Sequence, residues 1–196
     1  MSSTSLTDED FARAAKALNV EEAAIRAVAE VEAAGQGFIY DGRPAILYEA
    51  HIFHAETKGK HAGGKDRRGV ALSSPKWDRS LYGATGAAQH ARYEDARKLD
   101  PDAANKACSW GMFQILGLNH KACGFDNSQD FVDAMWTGGA AAHLDAFVAF
   151  VKANNLDGAL RRKDWAAFAR GYNGPAYAQN AYDKKMAAAY ARWAKK

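Results

Sequence analysis

The sequence is poor in proline and cysteine and has no long greasy run. Four prolines in 196 residues leave few enforced breaks, while 43 alanines supply the strongest helix former. No stretch of about 18 consecutive apolar residues occurs, which excludes a membrane-spanning helix of ordinary length. The opening MSSTSLTDEDF is polar and acidic where a secretory signal would be basic and then apolar, so no export signal is expected. Cys108 and Cys123 are too few for a disulfide framework and read as small core residues. An apolar fraction of 48% with 25% charged residues excludes wholesale disorder. The expectation is one mainly helical domain over 1–196.

Net charge is only +3, but it is unevenly spread. From Thr57 to Arg79 stand Lys58, Lys60, Lys65, Arg67, Arg68, Lys76 and Arg79 against Asp66 and Asp78. From Ala181 to Lys196 stand Lys184, Lys185, Arg192, Lys195 and Lys196 against Asp183. Two basic zones on an acidic body suggest a polyanion such as nucleic acid, anionic lipid or wall polymer; solvated surface is the plainer alternative. Gly59, Gly63, Gly64, Gly69 and Pro75 make the first zone read as a long exposed loop.

Thr7 with Asp10 signals a helix start, and Phe11, Ala14, Ala15 and Leu18 recur at helical spacing. A second helix from about Glu21 carries Ala24, Ile25, Val28 and Val31, with Gly35 as its expected stop. The segment GFIYDGRPAILYE, 37–49, places aromatic and β-branched residues around the turn letters Asp41 to Pro44, a β-hairpin signal. Asp130 to Lys152 reads as one long buried helix. Asp164 is expected to cap a helix through Phe168 that RGYNGPAY interrupts, and a basic amphipathic helix at about 178–196 closes the chain.

At about 100° per residue Glu32 falls beside Ile25 and Val28, a carboxylate on the edge of an apolar stripe at a helix end. Desolvation there raises a carboxyl pKa toward that of a general acid; the alternative is a frayed end with Glu32 in water. If the hairpin pairs Tyr40 with Ala45, Glu49 returns level with Gln36 and close to Glu32, while Asp41 sits at the far tip. Paired carboxylates are the usual apparatus of glycoside hydrolysis.

A helix ending in a glutamate, a glycine-bearing hairpin, SWGMFQILGLNH and RGYNGPAYAQNAY occur in that order. Together they resemble the lysozyme-like superfamily, which includes goose-type lysozymes and soluble lytic transglycosylases. More closely, VEAAGQGFIYDGRPAILYEAHIFH is similar to the N-acetylmuramidase domain of endolysins from phages of Gram-negative bacteria, and the likeness runs from about Leu18 to Trp193. The resemblance implies a mainly α (α+β) lysozyme-like fold with one small β-hairpin. It also implies cleavage of the β-1,4 bond between N-acetylmuramic acid and N-acetylglucosamine in peptidoglycan.

Position by position, the resemblance makes Glu32 the catalytic glutamate and Glu49 the second carboxylate, with Asp41 as its rival. It sets Ser109, Gly111, Gln114, Tyr172 and Asn173 along the sugar cleft. Ala33 follows Glu32 where many relatives have serine. No metal or cofactor is implied; His51, His54 and His61 are the residues a zinc alternative would use, without an H-E-x-x-H motif. The implied partner is the glycan strand, met by a monomer with no nucleic acid. Synthesis in a host cytoplasm would precede access to periplasmic peptidoglycan once the inner membrane is opened. The rival readings are a lytic transglycosylase leaving 1,6-anhydro ends, and a non-catalytic binder of wall or nucleic acid. The C-terminal helix could contact anionic outer-membrane lipid or simply dock on the domain.

Overall fold

A computed structural model describes residues 3–33 and 37–196. Helix α1 (Asp8–Leu18) starts in a capping box, the Thr7 hydroxyl accepting from the Asp10 N–H and the Asp10 carboxylate from the Thr7 N–H. Helix α2 (Glu22–Ala33) buries Ala24, Ile25 and Val28 completely. Strand β1 (Ile46–Tyr48) leads into α3 (Ala50–Glu56). After a long loop come α4 (Ala87–Arg97), α5 (Pro101–Lys106) and strands β2 (Cys108–Trp110) and β3 (Ile115–Leu116). The helices α6 (Ser128–Thr137), α7 (Gly139–Ala153), α8 (Asp157–Arg161), α9 (Trp165–Asn173) and α10 (Tyr182–Trp193) complete the fold.

The strands form one antiparallel sheet in the order β1-β2-β3, with Leu47 opposite Ser109 and Ser109 opposite Leu116. The true hairpin is β2–β3, turning through Gly111 to Gln114. The expected hairpin over 37–49 is reduced to a single bridge, Phe38 to Pro44, and Tyr40 does not pair with Ala45 but stands exposed at the tip. Its second arm pairs instead with β2, because Ile46 and Tyr48 bury against the Cys108 and Trp110 side of the core. Gly35 and Gln36 lie outside the described residues.

The single helix expected over Asp130–Lys152 is broken between α6 and α7. Gly139 has φ +66, and a Cβ on Gly138 would collide with Ala142, so the two glycines let the chain turn sharply. Helix α9 runs beyond Phe168 to Asn173, stopping only at Gly174 with φ +79; Pro175 then opens a 3₁₀ turn over Pro175–Asn180. The closing helix starts at Tyr182, later than expected, and docks on α2. Arg192 pairs with Glu30, the Trp193 indole donates to Glu30 at 2.9 Å, and Tyr190 and Lys163 meet at Glu21. The helix's aromatic residues are thereby spent on the domain.

The basic stretch 57–79 is a folded strap rather than a simple exposed loop. Leu72 is buried and its carbonyl accepts the Tyr48 hydroxyl at 2.6 Å. The Asp66 carboxylate meets the wholly buried Arg92 at 3.2 Å and Arg68 at 3.3 Å, while Arg67 pairs with Asp95 at 2.8 Å. Within the stretch, Arg67 is thus answered by a carboxylate far along the chain and Arg68 by Asp66 beside it.

Burial pushes Asp66 up, but N–H donors from Val70 and Arg68 with both guanidiniums outweigh it and hold the carboxyl below its ordinary value. Its contribution is thus present above about pH 4 and is lost as pH falls through the depressed native value. Asp66→Ala leaves Arg92 buried without its carboxylate and is expected to cost about 3–5 kcal/mol. Urea melts at neutral pH measure it, and the gap between variant and parent should narrow in acid.

Candidate active site

Glu32 occupies the last turn of α2, where the apolar stripe that seats the helix carries its carboxyl to the edge of the core. It lines a cavity of about 260 Å³ together with Gln114, Leu116, Phe150, Tyr172, Asn173 and Tyr182, among others. Burial pushes the Glu32 carboxyl above its ordinary value, opposed only by a hydrogen bond from Asn173 Nδ2 to Oε1 at 2.9 Å. No lysine or arginine pairs with Glu32 among the described residues. A desolvated carboxyl whose one polar partner is a neutral amide suits a proton donor.

Asn173 reaches Glu32 because α9 persists to that residue. Its neighbour Tyr172 fixes the helix end: the ring stacks on Phe168 at 5.6 Å, meets Phe147 and Phe150 edge-on, and the hydroxyl donates to the Phe113 carbonyl at 2.9 Å. Tyr172 lines the cavity, yet it is built into an aromatic cluster rather than held free as a sugar platform.

Gln114 shares the same cavity and has φ +46; its Nε2 is committed to the carbonyls of Gly111 at 2.9 Å and Ala45 at 3.2 Å. Gly111, with φ +67, admits His143: a Cβ there would lie 2.6 Å from the imidazole. The Met112 N–H donates to His143 Nδ1 at 3.2 Å and Nε2 lies 2.9 Å from the Met135 carbonyl, so the ring is the Nε2-protonated neutral tautomer, and burial pushes its pKa down. The space that glycine leaves at position 111 is thus taken by a protein side chain.

Ser109 sits mid-strand on the sheet face opposite the buried Cys108 and Trp110, between Leu47 and Leu116. Leu116 belongs to the Glu32 cavity; Leu47 belongs to another, of about 420 Å³, with Trp77, Arg79, Tyr82 and Gly83. The row Leu47–Ser109–Leu116 joins the two. Glu49 lies at the Leu47 end, accepting the Tyr82 hydroxyl at 2.6 Å with His51 Nδ1 at 3.4 Å. Glu32 lines one cavity and Glu49 another, a small one shared with Trp77 and Tyr82. Asp41 is at the exposed tip, its carboxyl held low by Arg43 at 2.7 Å.

Of the remaining candidates, His54 Nδ1 pairs with the Ser73 hydroxyl at 2.8 Å and His61 packs against Phe53. Among the described residues no three His, Cys, Asp or Glu side chains gather as a metal-holding group. Both cysteines are buried free thiols, and burial pushes Cys123 up to about 12. A roomier concavity of about 920 Å³ lies between α2, the 37–42 loop and Trp193, away from the Glu32 carboxyl. Trp77 and Tyr82 escaped the sequence reading; the one signal for them is two aromatics in a polar, basic stretch, KWDRSLYG.

A helical body with a small sheet beside a cleft, and an isolated, desolvated glutamate on one bank, define a lysozyme-like glycoside hydrolase. The chain belongs to the N-acetylmuramidase family, whose model matches residues 21–194. It is therefore a glycoside hydrolase that acts on peptidoglycan. Among solved structures it is similar to a Burkholderia AP3 phage endolysin, at 44% identity and TM-score 0.87, over 98% of this chain and 72% of that one. No match was found among curated proteins.

Proposed function

We propose that the chain is a lytic enzyme of the endolysin kind that hydrolyses the β-1,4 bond between N-acetylmuramic acid and N-acetylglucosamine. In this reading Glu32 donates the proton to the glycosidic oxygen. The observation that carries it is the Glu32 carboxyl raised by burial and held by Asn173 alone. Gln114 and Asn173 contribute amide groups to the same cavity, Tyr172 seats its wall, and Ser109 and the Gly111 turn set the sheet along it. The enzyme works as a monomer on glycan strands, without nucleic acid. It is made in a host cytoplasm and reaches the wall when another factor opens the inner membrane; no helix among the described residues is long and apolar enough to cross one. Lys184 and Lys185 on α10, with Lys195 and Lys196 just after it, stay exposed and are the residues a contact with anionic lipid would use.

Glu49 takes the part of the second carboxylate. Leu47 and Leu116 are two strand spacings, about 10 Å, apart. Glu32 and Glu49 line cavities at the two ends of that row, which supports a water between them rather than the direct attack of retaining enzymes, whose carboxyls lie about 5 to 5.5 Å apart. Glu49 therefore activates a water on the face of the sugar opposite Glu32. Asp41, tied to Arg43 at the tip, is the weaker choice.

Glu32→Gln is expected to lower the rate of sacculus dissolution by about 10²–10⁴-fold while the variant still sediments with walls. Mass spectrometry of parent products should show reducing muramic ends; 1,6-anhydro ends would overturn hydrolysis in favour of transglycosylation. Asn173→Ala removes the hydrogen bond that favours the ionised form, so the Glu32 pKa rises further. The protonated acid then persists to higher pH, and the alkaline limb of the pH–rate profile should move upward. Proton NMR of a short glycan digest should detect the α-anomer first; an initial β-anomer would remove Glu49 from the water-activating role.

A further inference from the structure

The cavity at the Leu47 end of the sheet has a form of its own. Trp77 is 59% exposed, unusual for so large an apolar ring, yet its position is fixed. The indole Nε1–H donates to the Tyr82 hydroxyl at 2.7 Å, and that hydroxyl in turn donates to Glu49 at 2.6 Å. Tyr82 is pinned through its backbone as well, since its carbonyl accepts Gln89 Nε2 at 2.6 Å. Gln89 is fully buried and its Oε1 also accepts the β1 N–H of Tyr48 at 3.0 Å. An exposed indole held by its polar edge keeps ring surface for a ligand at little entropic cost.

The charge beside it is equally specific. Arg79 is exposed, lines the same cavity and has no carboxylate partner among the described residues. Asp78 next to it is turned back on the chain, accepting the N–H of Ser80 at 2.8 Å and its hydroxyl at 2.7 Å. The Leu47–Ser109–Leu116 face runs from this cavity to the one holding Glu32.

We infer that Trp77, Tyr82 and Arg79 form a saccharide subsite on the Glu49 side of the cleft, beyond the bond that Glu32 protonates, which takes a peptide-bearing muramoyl residue of the strand. The sugar lies against the Trp77 ring and a carboxylate of its stem peptide meets Arg79. This rests on the reading that the Glu32 cavity is the catalytic end, because continuity with that cavity is what directs a glycan strand here. The subsite accounts for an exposed tryptophan and an unanswered guanidinium on one short turn.

Binding alone tests it, in the Glu32→Gln protein, with purified glycan strands either bearing peptide stems or stripped of them by an amidase. Adding Trp77→Ala should weaken both strands about tenfold, and Trp77→Phe should recover most of that loss. Adding Arg79→Ala should weaken the peptide-bearing strand about threefold and leave the stripped strand unchanged. Tyr40→Ala, which removes a still more exposed ring at another loop tip, should change neither. Unchanged affinity with Trp77→Ala, or equal losses from Trp77→Ala and Tyr40→Ala, overturns the subsite; equal losses on both strands from Arg79→Ala overturns the stem contact. A Glu32→Gln protein that still dissolved sacculi would sink the catalytic reading, whereas the affinities would still decide the subsite.

Discussion

The hydrogen bond between Asn173 and Glu32 is the contact on which the site turns. It joins the last turn of α2 to the last residue of α9, two ends that are 141 residues apart. Its strength is limited by its chemistry. A cation in place of Asn173 would hold Glu32 ionised and unable to donate, while an apolar residue would leave the carboxyl free to rotate. A neutral amide orients the group and lowers its pKa less than burial raises it. Everything that fixes the end of α9 therefore serves the acid, including the Tyr172 cluster, the Phe113 carbonyl and the α10 helix laid over α2.

The opposite bank is held by a different set of contacts. The strap 57–79 is pinned by Asp66 to Arg92 and by Leu72 to Tyr48, and Gln89 then ties β1 to the Tyr82 segment. Burial and the neighbouring Glu49 push the Tyr82 phenol up to about 12, so it remains a hydrogen-bond donor to Glu49 at any working pH. One bank thus offers a carboxyl with few polar partners and the other a carboxylate held by a phenol.

What the sequence disclosed follows the range over which its signals act. Capping at Thr7, the stripe that turns Glu32 toward the core and the helical composition are local, and each has its counterpart in the structure. The partner of β1 was not legible, because Ile46 pairs with Trp110 through a contact 64 residues long that alternation within 37–49 cannot report. Gly138 and Gly139 were read through as helix because a lone sequence does not show that Ala142 occupies the space a side chain would need. The basic loop looked exposed since the carboxylates of Asp66 and Asp95 gain their meaning only from arginines brought in by folding. Family likeness supplied the remaining site positions, and at Gly111 the structure shows a glycine that makes room for His143.

The separation of the two carboxyls also bears on how the protein tolerates its own acid. An ionised Glu49 beside Glu32 would raise the proton affinity of Glu32 by repulsion, but it would make that affinity depend on the second group's state. Among the groups that shift Glu32 none is Glu49: desolvation in the cavity with Phe150, Tyr172 and Tyr182 raises it and Asn173 lowers it. The cleft then needs substrate to span the gap, and the Leu47–Ser109–Leu116 face supplies a floor without charge along which a neutral sugar backbone can lie. The Arg79 guanidinium stands at the Leu47 end of that floor.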